Sequence, residues 1–536
     1  MFILAFALPQ IAAAVAHRAG SLFVPRQDFG WLWTAPWLAA LGSWLVSHAT
    51  STRGEAVANR TGSLQGIDAA QSMMRMAWVC TLAAIAGASL LTAGRLPLVV
   101  SSTLAALPSW AEHAAHALAP LVFSLLPMVG CVILTFWSFA RCERRVHEAL
   151  THRLIEQGRP LYAPMGNWEY ARGRVVRLGG LSLISVCVIA LVTALSHVVP
   201  ESWLMTTRDA LAKLVPINAD ALTPASLRSH ATSLATLLAM VLLVPHLLRA
   251  VWGAVPIGPG ALRTRVQSIM KQYNAKMRGP HAWHVRDGES TAMVLGAVWP
   301  SRYLILTTPL LEQLHEQHVD AVVAHEVGHV KHHHLPWLLA SLSAGLLAGS
   351  WLGFGLAALL MQIGAASDAD WLVRFGATQD VVMGVACALL AGVWTFGFVA
   401  RNFEWQADAF AVRHLSRQEL ASAGAAMAPN SIITHQSART VSDMLQRVAE
   451  VNGMSTSVKD FRYGSIEMRQ AKVLSLVGKA SRRLPIDRKV LAIKVLAATM
   501  LLAAAVPIVL ALRSEQHNHE EVSKSRIVGN RVFDPS

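Results

Sequence analysis

Charge is scarce in this sequence. Only 15% of its 536 residues are Asp, Glu, Lys or Arg, against about 25% in soluble globular proteins, while 54% are hydrophobic. That balance argues against a purely soluble chain, and apolar runs long enough to cross a bilayer recur along it. Cysteine is sparse too. Cys80, Cys131, Cys142, Cys187 and Cys387 lie in or beside apolar segments, with an odd total and no Cys-x-x-Cys pair, so neither a disulfide scaffold nor a thiolate metal site is indicated. Met1–Val15 is apolar but has no basic residue ahead of it, which makes it a poor cleavable signal peptide and a better retained or interfacial segment. No repeat or low-complexity tract stands out.

The excess of positive charge, 46 Lys and Arg against 32 Asp and Glu for a net +14, borders the apolar runs. It is explained by membrane topology, with no nucleic-acid partner. The clearest spans cover about Gly30–His48, Met76–Ala93, Leu118–Ala140, Leu178–Val199, Ala231–Leu248, Leu335–Met361, Val381–Ala400 and Val495–Leu512. The loop Arg141–Arg177 holds eight arginines and is expected on the cytoplasmic side. Alternation then puts Ala49–Arg75, Arg249–His334 and Arg401–Lys494 on that side and the Arg513–Ser536 tail outside. Tryptophans gather near span ends, where amphipathic rings favour the interface.

Two polar segments, Arg249–His334 and Arg401–Lys489, are long enough to fold, and neither buries much of a core alone. One joint domain is expected. The first reads as helix over Leu262–Met277, strand over Ala282–Arg286 and Arg302–Thr307, then helix from Pro309 through His332. The second opens as a helix continuing out of the Val381–Ala400 span. The expected division of the chain is a membrane region 1–248, a first catalytic part 249–334, two spans in 335–400, a second catalytic part 401–489, and a C-terminal span with tail in 490–536.

In Ala321-Val-Val-Ala-His-Glu-Val-Gly-His-Val330, His325 and His329 are four residues apart on a helical pattern, so both imidazoles leave one face and can hold one zinc ion. Glu326 is placed to take a proton from a water at the metal. With 22 histidines in the chain, a random His-Glu-x-x-His is expected about 0.03 times, so chance is a minor competitor. The bland alternative is a helix with two surface histidines. A catalytic zinc needs a third protein ligand. The candidate is Glu404, in Arg401-Asn-Phe-Glu-Trp-Gln-Ala-Asp408 directly after an apolar span, with Asp408 on the same helical face to accept the ring N–H of a ligating histidine. The runs His332-His333-His334 and His517-Asn-His519-Glu-Glu521 read as polar caps rather than ligands.

His325-Glu-Val-Gly-His329, two spans, and then Arg401-x-x-Glu404-x-x-x-Asp408 resemble the membrane zinc metallopeptidases that include bacterial HtpX-type proteases and eukaryotic CAAX prenyl proteases. The resemblance covers roughly Arg249 to Val473. It implies His325, His329 and Glu404 as ligands of one Zn2+ per chain, Glu326 as general base and Asp408 as support. Ser290-Thr-Ala-Met-Val-Leu-Gly296 resembles the family's Asn-Ala-x-x-x-Gly segment beside a substrate-binding edge strand, with Thr291 where asparagine is usual, followed by Ala292 and Gly296. Main-chain pairing to an extended peptide survives that change. Tyr463-Gly-Ser-Ile-Glu-Met-Arg469 resembles the family's His-Pro-x-x-x-x-Arg segment, Tyr463 and Gly464 replacing His and Pro. Tyr463 and Arg469 thereby become oxyanion-side candidates. Structural alternatives remain, an ion pair for Arg469 and a packed aromatic for Tyr463.

The expectation is a mainly α, polytopic membrane protein with a cytoplasmic α+β zincin-like domain, in a bacterial inner membrane. It acts as a zinc metalloendopeptidase on membrane-associated or misfolded proteins; oligomeric state is undetermined. Two alternatives stay open: processing of a lipidated peptide in a chamber walled by the spans, as the prenyl-protease resemblance suggests, and a non-hydrolytic zinc-binding scaffold or transporter. The near absence of ionisable residues in the clear spans weighs against a transporter.

Overall fold

The computed structural model describes residues 35–61, 130, 133–142, 144–145, 148, 155, 165–214, 223–285, 288–424, 432–452, 454–481 and 484–504. The expected span Met76–Ala93, the segment Met1–Val15, the His517–Glu521 cluster and the Arg513–Ser536 tail lie outside them, as do parts of the first, third and last expected spans.

Most described residues are helical. The elements are α1 (Ala35–Thr61), α2 (Asn167–Val198), α3 (Glu201–Leu214), α4 (Pro224–Leu242), α5 (Val244–Val251), β1 (Val255–Pro256), α6 (Ala261–Gln272), β2 (Arg278–Trp283), β3 (Ala292–Leu295), β4 (Tyr303–Thr307), α7 (Thr308–Gln313), α8 (Glu316–Lys331), α9 (His334–Ala366), α10 (Asp370–Ser422), α11 (His435–Val451), α12 (Ile466–Leu474) and a final helix α13 over 485–504. Among the described residues, His334–Ala366 and Met383–Ser422 are long and apolar enough to cross a membrane, and two bent helix pairs qualify if each counts as one span. The protein is thus a polytopic helical membrane protein with a small sheet. One bent pair, Leu227–Leu242 with Val244–Val251, turns by 40° where the expected span Ala231–Leu248 reads as continuous. Pro245 stands in the first turn after the break, where its missing N–H costs no helical bond.

The chain divides into two compact units. One comprises 1–208, 223–326 and 443–456; the other comprises 209–222, 327–442 and 457–536. The boundary falls inside α8, which is continuous across it.

In the first unit the sheet runs β1-β2-β4-β3, with β2 and β4 parallel and the outer pairs antiparallel. β2 begins earlier than the sequence suggests. Its register shifts between Arg278 and His281, where Pro280 has no N–H to give the ladder. Trp283, Val285, Tyr303 and Ile305 form the core beneath it, each burial contributing roughly 1.5–3 kcal/mol. β3 is an edge strand. Arg174 and Arg177 of α2 both donate to Glu289 Oε2, at 3.1 and 3.0 Å, joining the arginine-rich segment to the loop before β3.

Two expected helices end differently. The one expected over Leu262–Met277 stops as α6 at Gln272, because Asn274 takes a left-handed φ of 50°. The one expected from Pro309 through His332 is broken, since Leu314 is extended (φ −97°, ψ 144°).

In the second unit α9 and α10 pack as a long pair whose seam is made of small residues. A Cβ on Gly349 would lie 2.7 Å from Ala388 Cα, and one on Gly364 would lie 2.8 Å from the Val373 nitrogen. Close backbone approach of this kind is how helices associate where lipid removes the hydrophobic drive. α10 then runs unbroken from this seam to Ser422, carrying Glu404 and Asp408 with it.

Candidate metal centre

α8 begins with Glu316 in its first turn and ends with Lys331 in its last, charges placed to favour its dipole. Ala321, Val323, Ala324 and Val327 are fully buried, which fixes the face on which the helix packs. Arg265 of α6 holds its N-terminal half, donating to Asp320 and Glu316 at 2.7 Å each. Gly328 permits the approach of α10: a Cβ there would meet Phe410 Cβ at 3.1 Å.

His325 and His329 stand one turn apart on α8. His329 Nε2 lies 3.7 Å from Glu404 Oε1 of α10, and one ligand atom from each of His325, His329 and Glu404 lies within 4.8 Å of the others. Two donors on a tetrahedral zinc are about 3.4 Å apart, given bonds of about 2.1 Å. Two imidazoles and a carboxylate at this spacing therefore fit zinc chemically and spatially. Glu326 is half-buried beside them.

Asp408, expected to accept the ring N–H of a ligating histidine, instead takes hydrogen bonds from Arg469, and the Nδ1 of His329 meets His334. The two Asp408 oxygens accept from Arg469 Nε at 2.8 Å and from an Arg469 Nη at 2.7 Å, and the same Nη lies 3.6 Å from Glu404 Oε2. One buried guanidinium thus ties both carboxylates. Burial disfavours its charge, but Asp408 and Glu404 outweigh that and hold Arg469 above its ordinary pKa. Arg469 sits in the first turn of α12, capped by Ser465, whose hydroxyl accepts from the Met468 N–H at 3.2 Å.

Tyr463 is presented by a tight loop. Asp460 accepts from the Arg462 and Tyr463 amides at 2.7 and 3.3 Å, and Gly464 takes φ +76°, a conformation that glycine adopts without cost. Burial, with the Glu404 and Asp460 charges, pushes the Tyr463 hydroxyl up to about 12 against the opposing arginines. It remains a donor at physiological pH.

The segment Thr291–Gly296 lies along the sheet edge. Thr291 N–H donates to Thr307 Oγ1 at 2.9 Å, Ala292 opens β3, and Gly296 follows it with φ +96°. A Cβ on Gly296 would collide with the Ser301 carbonyl, so glycine is required there by the turn. Sequence reasoning missed Asn452. Its side chain accepts from Ser290 N–H and donates to the Ser290 carbonyl, both at 2.8 Å, and no local pattern signals a partner so distant in the chain.

The His332–His334 run separates into three roles. Lys494 donates to the His332 carbonyl at 2.7 Å, His333 takes the left-handed turn (φ 55°) between α8 and α9, and His334 is buried. Such a φ is uncommon outside glycine, though histidine is among the residues enriched there.

Residues 258–454 match the family model of Peptidase family M48, a stretch holding Thr291–Gly296, the α8 motif, Glu404 and Asp408 but not Tyr463 or Arg469. The chain is 27% identical over 187 residues to CAAX prenyl protease 1 homolog of Arabidopsis thaliana, across 33% of this chain and 42% of that protein. The match therefore spans less than half of the relative's length. The crystal structure of S. mikatae Ste24p aligns with TM-score 0.41 and 12% identity, covering 84% of this chain and 100% of that one.

Proposed function

We propose, from the premise that residues 258–454 form a peptidase family M48 domain, that this membrane protein is a zinc-dependent endopeptidase. His325, His329 and Glu404 hold the metal, and their convergence within 4.8 Å is the observation that carries the reading. When bound, zinc supplies Lewis acidity, polarising a peptide carbonyl and lowering the pKa of water toward neutrality. Glu326 accepts the attacking water's proton and passes it to the leaving amine. Tyr463 donates a hydrogen bond from its hydroxyl to the developing oxyanion. Arg469 is a positioning residue: engaged with Asp408 and close to Glu404, it holds the Glu404 carboxylate toward the metal.

An extended substrate adds to the edge strand β3 through main-chain hydrogen bonds, with Thr291 and Ala292 at its start and Gly296 ending it. The substrates are membrane-associated or misfolded proteins. The pairing of Arg174 and Arg177 with Glu289 supports a cytoplasmic catalytic part, since it joins the arginine-rich segment to the loop before that strand. The bilayer is a bacterial inner membrane. The 27% identity to a prenyl protease homolog favours a second reading, in which the substrate is a lipidated peptide.

Glu326→Gln removes the base and keeps the ligands. Its casein cleavage should fall at least about a hundredfold, the scale of general-base catalysis, while zinc content stays at one per chain. A chelator should abolish cleavage by the parent protein. Undiminished cleavage by Glu326→Gln would remove the mechanism.

A further inference from the structure

His334 has no part in the chemistry assigned above. It opens α9, is 3% exposed, and stacks on Phe403 with ring centroids 4.4 Å apart. Its Nδ1 is 2.8 Å from His329 Nδ1, and its Nε2 is 3.0 Å from Gln406 Oε1. Gln406 Nε2 in turn donates to Asp487 Oδ1 at 2.8 Å, and the other Asp487 oxygen receives the Arg413 guanidinium.

This row of contacts has one self-consistent direction. A carboxylate only accepts, so the Gln406 amide must turn its NH2 to Asp487 and its oxygen to His334; the flipped amide would set oxygen against oxygen. An amide oxygen also only accepts, so His334 carries its proton on Nε2. In the neutral ring Nδ1 is then bare. His329 must therefore donate from its own Nδ1, which leaves a lone pair on Nε2, the atom facing Glu404.

We propose that His334 is a positioning residue that selects the His329 tautomer able to ligate a divalent metal through Nε2, with Gln406 and Asp487 setting the direction of the row. The proposal rests on the metallopeptidase reading, in which His329 is a ligand. Without the row, His329 would also populate the tautomer protonated on Nε2, which cannot bind a metal there, and its ring would be free to rotate.

The test is zinc affinity of the purified full-length protein in detergent, measured by competition with a chromophoric chelator. His329→Ala serves as the ligand-loss reference. His334→Ala should weaken zinc about ten- to a hundredfold, the usual effect of losing the partner of a ligating histidine. His334→Asn should recover most of that loss, because its amide oxygen replaces Nδ1 as the acceptor; a purely structural requirement for the imidazole would not be met by asparagine. Gln406→Met, which keeps volume and removes the amide, should weaken zinc by a smaller factor. Parent-like affinity in His334→Ala, or asparagine no better than alanine, overturns the proposal. If His334→Ala aggregates on gel filtration, Gln406→Met decides alone, and unchanged affinity there overturns it. A parent protein that binds no zinc would instead overturn the reading of the site itself.

Discussion

Burial decides the acid behaviour of His332. Its ring, in the turn after α8, is held well below the usual histidine range, at about 4, first by desolvation and then by Lys494, Arg413 and Lys331, with Asp487 opposing. The folded state thus prefers the neutral ring more strongly than the unfolded chain does. Because the folded pKa is depressed below the unfolded value near 6.5, the stability it confers is complete above pH 6.5 and is lost as pH falls from 6.5 toward 4. The loss expected between pH 8 and pH 5 is about 2 kcal/mol. His332→Asn, which cannot titrate, should melt with a visibly smaller drop in Tm between those pH values than the parent protein. Equal drops would show that His332 is not the responsible group. The neighbouring His333 carries a different load, since its left-handed backbone is what turns the chain so that His334 can face back toward His329.

At the level of elements, the centre depends on two close approaches. α8 meets α10 at Gly328 and Phe410, and α9 meets α10 along Gly345, Gly349 and Gly353, spaced four residues apart so that they share a face. Glu404 reaches His329 only because α10 is held at that distance over its apolar length. Gly353→Leu should force the pair apart, with an overpacking cost of about 1–3 kcal/mol. Gly355→Leu on the same helix, where a Cβ meets nothing within 4 Å, should be tolerated. Thermal unfolding in detergent would separate the two, and similar melting of both variants would remove the seam from the account. Asp408 and Arg469 are both buried where α10 and α12 meet.

For the whole molecule, the side of the membrane that holds the chemistry follows from the topology of its spans. The proposed topology puts Ser367, in the turn between α9 and α10, outside and Lys479 inside. In a chain whose five native cysteines are replaced, a membrane-impermeant maleimide should label Ser367→Cys in intact cells and Lys479→Cys only after permeabilisation. The reverse pattern would place the centre outside. Both positions are exposed, so access to the side chain does not confound the result.

Residue order alone determined whatever is repeated over a few residues: the apolar lengths of α9 and α10, the i, i+4 pairing of His325 with His329, and the placement of Glu404 and Asp408 on one helical face. Those features are local because a helix fixes the direction of side chains within itself. Element ends were less legible, as Asn274 and Leu314 show, because a single backbone conformation stops a helix whose apolar pattern continues. Only the tertiary structure decided that Arg469 clasps Asp408 beside Glu404, that Asn452 cradles Ser290, and that the last of three consecutive histidines turns inward to His329. Each of these joins residues on separate elements, and the distance between elements is set by glycine seams and turn geometry rather than by spacing along the chain.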